Sequence, residues 1–88
     1  MITIHKFEVP IADEFELLLP GGYQILDVQP QRGTPQLWVL LDTELPKVSR
    51  KFSVRGTGHR ADGLSGGYIG TFQVHGGNLV FHLFHGAP

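Results

Sequence analysis

The one concentrated run of cationic and hydroxyl side chains lies at residues 51–60. There Lys51, Ser53 and Arg55 alternate with Phe52 and Val54 and lead into Gly56, Thr57, Gly58, His59 and Arg60. Successive side chains of an extended chain point to opposite faces, so Lys51, Ser53 and Arg55 share one face while Phe52 and Val54 bury the other. The two glycines allow backbone N–H groups to converge on an anion, with Thr57, His59 and Arg60 as further donors around it. Such a set suits one or two phosphates of a small ligand. It is not a Walker loop, because no Gly-Lys-Ser/Thr follows, and it is not a dinucleotide fingerprint. The competing reading is a glycine-rich connection beside an ordinary solvated strand face.

Other chemistries find less support. The chain has 5 histidines, of which His75, His82 and His85 are the nearest in sequence. With His82 opposite Thr71 in a hairpin, His75 and His82 lie four positions apart along the strand, about 13 Å at roughly 3.3 Å per residue. Metal bonds of about 2 Å cannot span that, and His82 and His85 point to opposite faces. A metal site would need His5 or His59 brought in by the fold with a carboxylate such as Asp62, and none is expected. Ser49, Ser53 and Ser65 lie in no nucleophile elbow and beside no base. Asp13, Glu14 and Glu16 cluster on a segment bounded by Pro10 and Pro20 and read as solvated. Trp38, Tyr68 and the phenylalanines could stack a base, but a small core needs most of them. No catalytic residue and no cofactor is assigned, and the expectation is a protein that is not an enzyme.

These side chains must be positioned by a single small domain. The chain has 88 residues, 41% hydrophobic and 17% charged, with no cysteine, 12 Gly and 6 Pro. A domain this size buries only about 60 to 65% of the surface its unfolded chain exposes. Without cysteine there is no disulfide or thiolate-bound metal to reinforce it, which leaves association as the remaining route. A net charge of -1 with 7 Lys and Arg argues against binding to double-stranded nucleic acid, where each released counterion needs a basic residue. The first residues lack a signal-peptide pattern, and no apolar run approaches the roughly 18 residues of a membrane span, so no membrane association is expected.

Apolar residues recur with period two in short runs separated by Gly, Pro, Asp and Asn, the pattern of strands. Strands are expected at residues 2–8, 15–19, 23–29, 36–42, 51–55, 68–75 and 78–84. Seven short, mostly antiparallel strands in one all-β domain predict a sandwich or a partly closed barrel. Gly76-Gly77 predicts a two-residue hairpin turn. That register sets Phe72 opposite Phe81, Val74 opposite Leu79, Gly70 opposite Leu83 and Tyr68 opposite His85 on one face. The other face takes Gln73 with Val80, Thr71 with His82 and Ile69 with Phe84. Residues 31–35 before the fourth strand read as a turn, and residues 56–67 as a long surface loop. In the fourth strand Leu37, Val39 and Leu41 point one way, and Trp38 and Leu40 the other, which predicts burial on both sides. The second cover is expected to be another sheet or another subunit, so a homo-oligomer is expected.

Five segments also carry a resemblance: Ile4-His5-Lys6-Phe7-Glu8-Val9-Pro10-Ile11; Gly33-Thr34-Pro35-Gln36-Leu37-Trp38; Phe52-Ser53-Val54-Arg55-Gly56-Thr57-Gly58-His59; Tyr68-Ile69-Gly70-Thr71-Phe72-Gln73; and Leu79-Val80-Phe81-His82. In order and spacing they resemble a family of small proteins of unknown function found mainly in tailed bacteriophages and prophages. Pro20-Gly21-Gly22-Tyr23 departs from the family pattern locally. The resemblance brings no established activity and no catalytic residue. It implies an accessory protein in the cytoplasm of an infected bacterial host, with virion association as an alternative. By analogy with unrelated counter-defence proteins, it suggests a non-catalytic binder that sequesters a phosphate-bearing nucleotide signal. The alternative is a protein-interaction module working through an exposed sheet edge or the Trp38 and Leu40 face, with a host or phage protein as partner.

Overall fold

In the computed structural model, which describes residues 1–86, the chain forms seven strands and no α-helix. They are β1 (Ile2–Glu8), β2 (Glu14–Pro20), β3 (Gln24–Gln31), β4 (Thr34–Asp42), β5 (Lys47–Gly56), β6 (Tyr68–Val74) and β7 (Leu79–His85). Two antiparallel sheets, ordered β1-β4-β3 and β2-β5-β7-β6, pack face to face without closing into a barrel. The smallest dimension of the molecule is 15 Å, as two sheets about 10 Å apart require.

The interior follows the two-residue period. Leu37, Val39 and Leu41 of β4 meet Leu19, Phe52, Val54, Phe72, Val74 and Leu83 of the larger sheet, with Val9 and Val28 closing the edges. Each such side chain contributes about 1.5 to 3 kcal/mol on burial. Aromatic pairs bridge neighbouring strands, Phe15 with Phe52 at 5.3 Å and Phe72 with Phe81 at 5.8 Å between ring centroids. Gly70 lets the sheets approach: a Cβ there would stand 2.5 Å from Cγ1 of Val28.

Several expectations are corrected in detail. The β3–β4 turn narrows to Arg32 and Gly33, both at positive φ (52° and 82°), the geometry a two-residue turn between right-twisted strands requires. Tyr23 falls in the turn before β3, and pairing carries β3 on to Gln31. β5 starts at Lys47, four residues earlier than the alternation of residues 51–55 suggests, because β2 pairs with it along its whole length. The β6–β7 connection is a 3-10 turn at His75–Gly77, closed by Asn78 N–H donating to the His75 carbonyl (3.2 Å), rather than a two-residue Gly76-Gly77 turn. The register survives, with Phe72 opposite Phe81, Val74 opposite Leu79 and Thr71 opposite His82. At the far end a bulge at Ile69 sets Tyr68 opposite Phe84, replacing the expected Tyr68–His85 and Ile69–Phe84 pairs.

The fourth strand is buried on one side only. Leu37, Val39 and Leu41 are sealed, whereas Trp38 and Leu40 stay half-buried on the outer face of the three-stranded sheet. As the central strand, β4 is flanked there by Lys6 and Asp27 beside Trp38, and by Ile4 and Gln24 beside Leu40. Lateral neighbours give the partial cover, and among the described residues no second sheet stacks on this face.

Candidate functional site

The sequence order β5, β6, β7 becomes β5-β7-β6 in the sheet, and that inversion builds the site. The loop after β5 must cross β7 to reach β6. This places Arg55 opposite His82 and brings Thr57 against β7. On the outer face of the larger sheet, the His82 ring is held at both nitrogens, Nε2 by Thr57 Oγ1 (2.8 Å) and Nδ1 by Thr71 Oγ1 (2.9 Å). Tyr68 Oη reaches Thr71 Oγ1 at 2.6 Å, and Thr57 Oγ1 lies 3.4 Å from the Val80 carbonyl. One consistent assignment runs in a single direction: Tyr68 donates to Thr71, Thr71 to Nδ1 of a neutral His82, Nε2–H to Thr57, and Thr57 to Val80. A proton added to His82 would force Thr71 to turn its hydroxyl.

Arg55 sits beside this chain. Its Nη1 donates to the carbonyls of Asp13 (2.8 Å) and Val54 (3.0 Å), so the guanidinium is fixed in place by neutral groups, and no carboxylate pairs with it among the described residues. Carbonyl anchoring leaves the charge and the remaining N–H donors available. The cleft it enters, about 350 Å³, is lined by Asp13, Arg55, Gly56, His59, Arg60 and Asp62. His59 folds back over Gly56, where a Cβ would stand 2.8 Å from its Nδ1. Arg60 is bound to Asp62, with Nε at 2.7 Å from Oδ2, and the two neutralise each other.

The predicted residues therefore separate. Arg55, Gly56, His59 and Arg60 gather around one cleft, and Thr57 joins the His82 chain. Ser53 is buried at 7% exposure, while Lys51 lies exposed near Glu14 and Glu16 in a neighbouring depression. Two backbone donors of the loop are used internally, Thr57 N–H by the Val80 carbonyl (3.0 Å) and His59 N–H by that of Gly56 (3.1 Å). Gly58 supplies a positive φ of 84° at the loop tip. Sequence reasoning missed His82, Thr71 and Tyr68 as part of the site. The hairpin register already set Thr71 against His82; what it lacked was the neighbour on the other side of β7.

Residues 1–88 match the family described as Domain of unknown function (DUF7352). The chain belongs to it. No curated protein and no solved structure matches the chain. Among the described residues of this DUF7352 domain, no group of three or more His, Cys, Asp or Glu is gathered as metal ligands. Among the same residues no helix is long and apolar enough to cross a membrane.

Proposed function

We propose that this DUF7352 domain is a non-catalytic binding module, and that the Arg55 cleft receives a phosphate group of a small ligand. The observation that carries the reading is Arg55 itself, a cation anchored on the Asp13 and Val54 carbonyls with no carboxylate partner among the described residues. The polar partners beside it favour holding over turnover. His82 spends its second nitrogen on Thr71 rather than on a carboxylate that would orient a base. The sharper version is a nucleotide, with the protein phage-encoded and sequestering a nucleotide signal in the cytoplasm of an infected bacterium.

The test is a thermal-shift and calorimetric screen of the purified chain against cyclic di- and trinucleotides, ADP-ribose derivatives, mononucleotides and phosphate. A ligand at about 100 times its Kd stabilises the fold by about 2.7 kcal/mol. Arg55→Gln is expected to abolish that shift and His59→Ala to weaken it, with the ligand recovered unchanged. A flat screen, or a shift indifferent to both substitutions, refutes the reading.

A second reading rests on the other sheet. β1 turns Ile2 (70% exposed) and Ile4 (53%) outward beside half-buried Trp38 and Leu40, with Leu26 (44%) at the β3 bulge. Contiguous exposed apolar side chains of this kind mark contact surfaces, and a second copy of the chain packed face to face would cover them. Light scattering is expected to show a dimer that Ile4→Lys converts to monomer; a wild-type monomer at micromolar concentration refutes this reading.

A further inference from the structure

At the opposite end of β5 an arginine occupies a position where the alternation calls for an apolar residue. Phe52 and Val54 point into the sandwich, and Arg50 belongs to the same inward set, across from Leu17 of β2. Its guanidinium carbon stands 5.6 Å from the centroid of the Tyr23 ring. Its Nε is sealed from solvent and has no hydrogen-bond partner among the described residues. A buried donor left without an acceptor is rare and calls for an explanation, and no ion pair to Arg50 exists among the described residues to supply one.

Nε is closed to solvent, so a ligand meets the guanidinium through its other N–H groups, and the surroundings indicate which ligand suits it. Arg50 borders a cleft of about 380 Å³ at the open end of the sandwich, lined also by Tyr23, Ser49, Lys51, His85 and Gly86 together with Val48. Arg50 is the cation on the inner face of that lining, Tyr23 and His85 can donate hydrogen bonds, and no lining residue is a carboxylate; Ser49 already donates to Glu16 at 3.0 Å, and Lys51 extends to the other face of β5 beside Glu14 and Glu16. The walls are fixed: His85 packs against Phe52 at 5.7 Å and Tyr23 at 6.4 Å between centroids. Gly86 N–H donates to the Lys51 carbonyl at 2.7 Å, and a Cβ at Gly86 would stand 2.7 Å from that of Lys51, so the backbone approach there depends on glycine. Arg50 and Arg55 lie on opposite faces of β5, five positions apart, about 16 Å at roughly 3.3 Å per residue. The two clefts are separate.

We infer that the Tyr23–Arg50–His85 cleft is a second ligand site, which takes a phosphate or carboxylate oxyanion onto the Arg50 guanidinium. Arginine supplies a planar fork that matches either oxyanion, and the Tyr23 face holds that fork in position. Nothing in this inference depends on occupation of the Arg55 cleft.

The experiment is a titration of the isotopically labelled full chain with inorganic phosphate and, separately, acetate, at constant ionic strength, followed by proton–nitrogen correlation spectra. The Arg50 Nε–H resonance is expected to move and saturate with at least one anion, together with the Tyr23 and Gly86 amides. Whichever anion binds more tightly names the ligand class. Arg50→Gln is expected to remove the saturating shifts, and Arg50→Lys, which keeps the charge but loses the fork, to weaken them by about tenfold. Arg55→Gln is expected to leave them in place. An Arg50 resonance in the wild-type chain that does not saturate with either anion overturns the inference, and so does loss of the shifts in Arg55→Gln. The wild-type result stands even where a substitution at Arg50 disturbs folding. Failure here leaves the Arg55 screen untouched, and failure there leaves this titration untouched.

Discussion

Gly66 and Gly67 are adjacent, yet the structure assigns opposite outcomes to the same substitution. The loop that delivers Thr57 and His59 returns to the sheet at these residues, where the Gly67 carbonyl accepts a hydrogen bond from His85 N–H at 2.8 Å. A Cβ on Gly66 would overlap the His85 carbonyl oxygen and stand 2.5 Å from its carbon and 2.8 Å from its Cβ, all within β7. A strand held between two neighbours cannot yield as a flexible side chain can, so the loop must lift. Overpacking of this kind costs about 1 to 3 kcal/mol, and loss of the Gly67–His85 hydrogen bond adds about 0.5 to 1.5 kcal/mol. Gly66→Ala should therefore destabilise by about 2 to 4 kcal/mol. A domain this small shifts by about 4 to 8 °C per kcal/mol, which makes a fall in Tm of about 8 °C or more the expected result. Gly67 has nothing within 4 Å of its would-be Cβ and no positive φ. Gly67→Ala should then be neutral, or stabilise by up to about 1 kcal/mol through the lost freedom of the unfolded chain. Urea denaturation of the two variants beside wild type measures both. Equal effects, or a Gly66→Ala variant as stable as wild type, would refute the close docking of this loop on β7.

The core makes a sharper contrast: Leu37→Ala and Leu83→Ala, at 0% exposure, should each cost about 2 to 5 kcal/mol. Leu18→Ala, at 62% exposure, should stay within about 0.5 kcal/mol in the same denaturation assay. Thr71→Val removes a hydroxyl that sits between Tyr68 and His82, and should cost about 0.5 to 1.5 kcal/mol. The His82 Nδ1 resonance should also move as it loses the Thr71 donor, and an unchanged spectrum would count against the hydrogen-bonded chain. Asp42 is held below its ordinary value of 3.8, chiefly by the Glu44 N–H and then by the N-terminal ammonium. A depressed carboxyl stabilises the fold above its unfolded value and loses that contribution as pH falls through the folded one. The Tm gap between wild type and Asp42→Asn should thus persist above pH 3.8 and close below it.

Much of the fold was legible in the sequence because a strand buried on one face must alternate. Leu37, Val39 and Leu41 declare an inward face, and Phe72, Val74, Phe81 and Leu83 declare a hairpin register that the true turn, one of different geometry, leaves intact. Turn chemistry and short-range pairing are local, so Gly33 and Gly76 mark their turns from the sequence alone. The cations around Gly56 to Arg60 were likewise visible as a run.

What the sequence could not decide is which strands become neighbours. Arg55 and His82 are 27 residues apart, since 82 - 55 = 27, and they meet because β7 inserts between β5 and β6. No periodicity within β5 or β7 encodes that choice; it follows from how two sheets bury their inner faces together. The same packing set Arg50 against Tyr23, left Ser53 in a dry position, and exposed Ile2 and Ile4 on β1. Alternation fixes which side chains share a face of one strand, whereas the company each face keeps is an energy of the whole core.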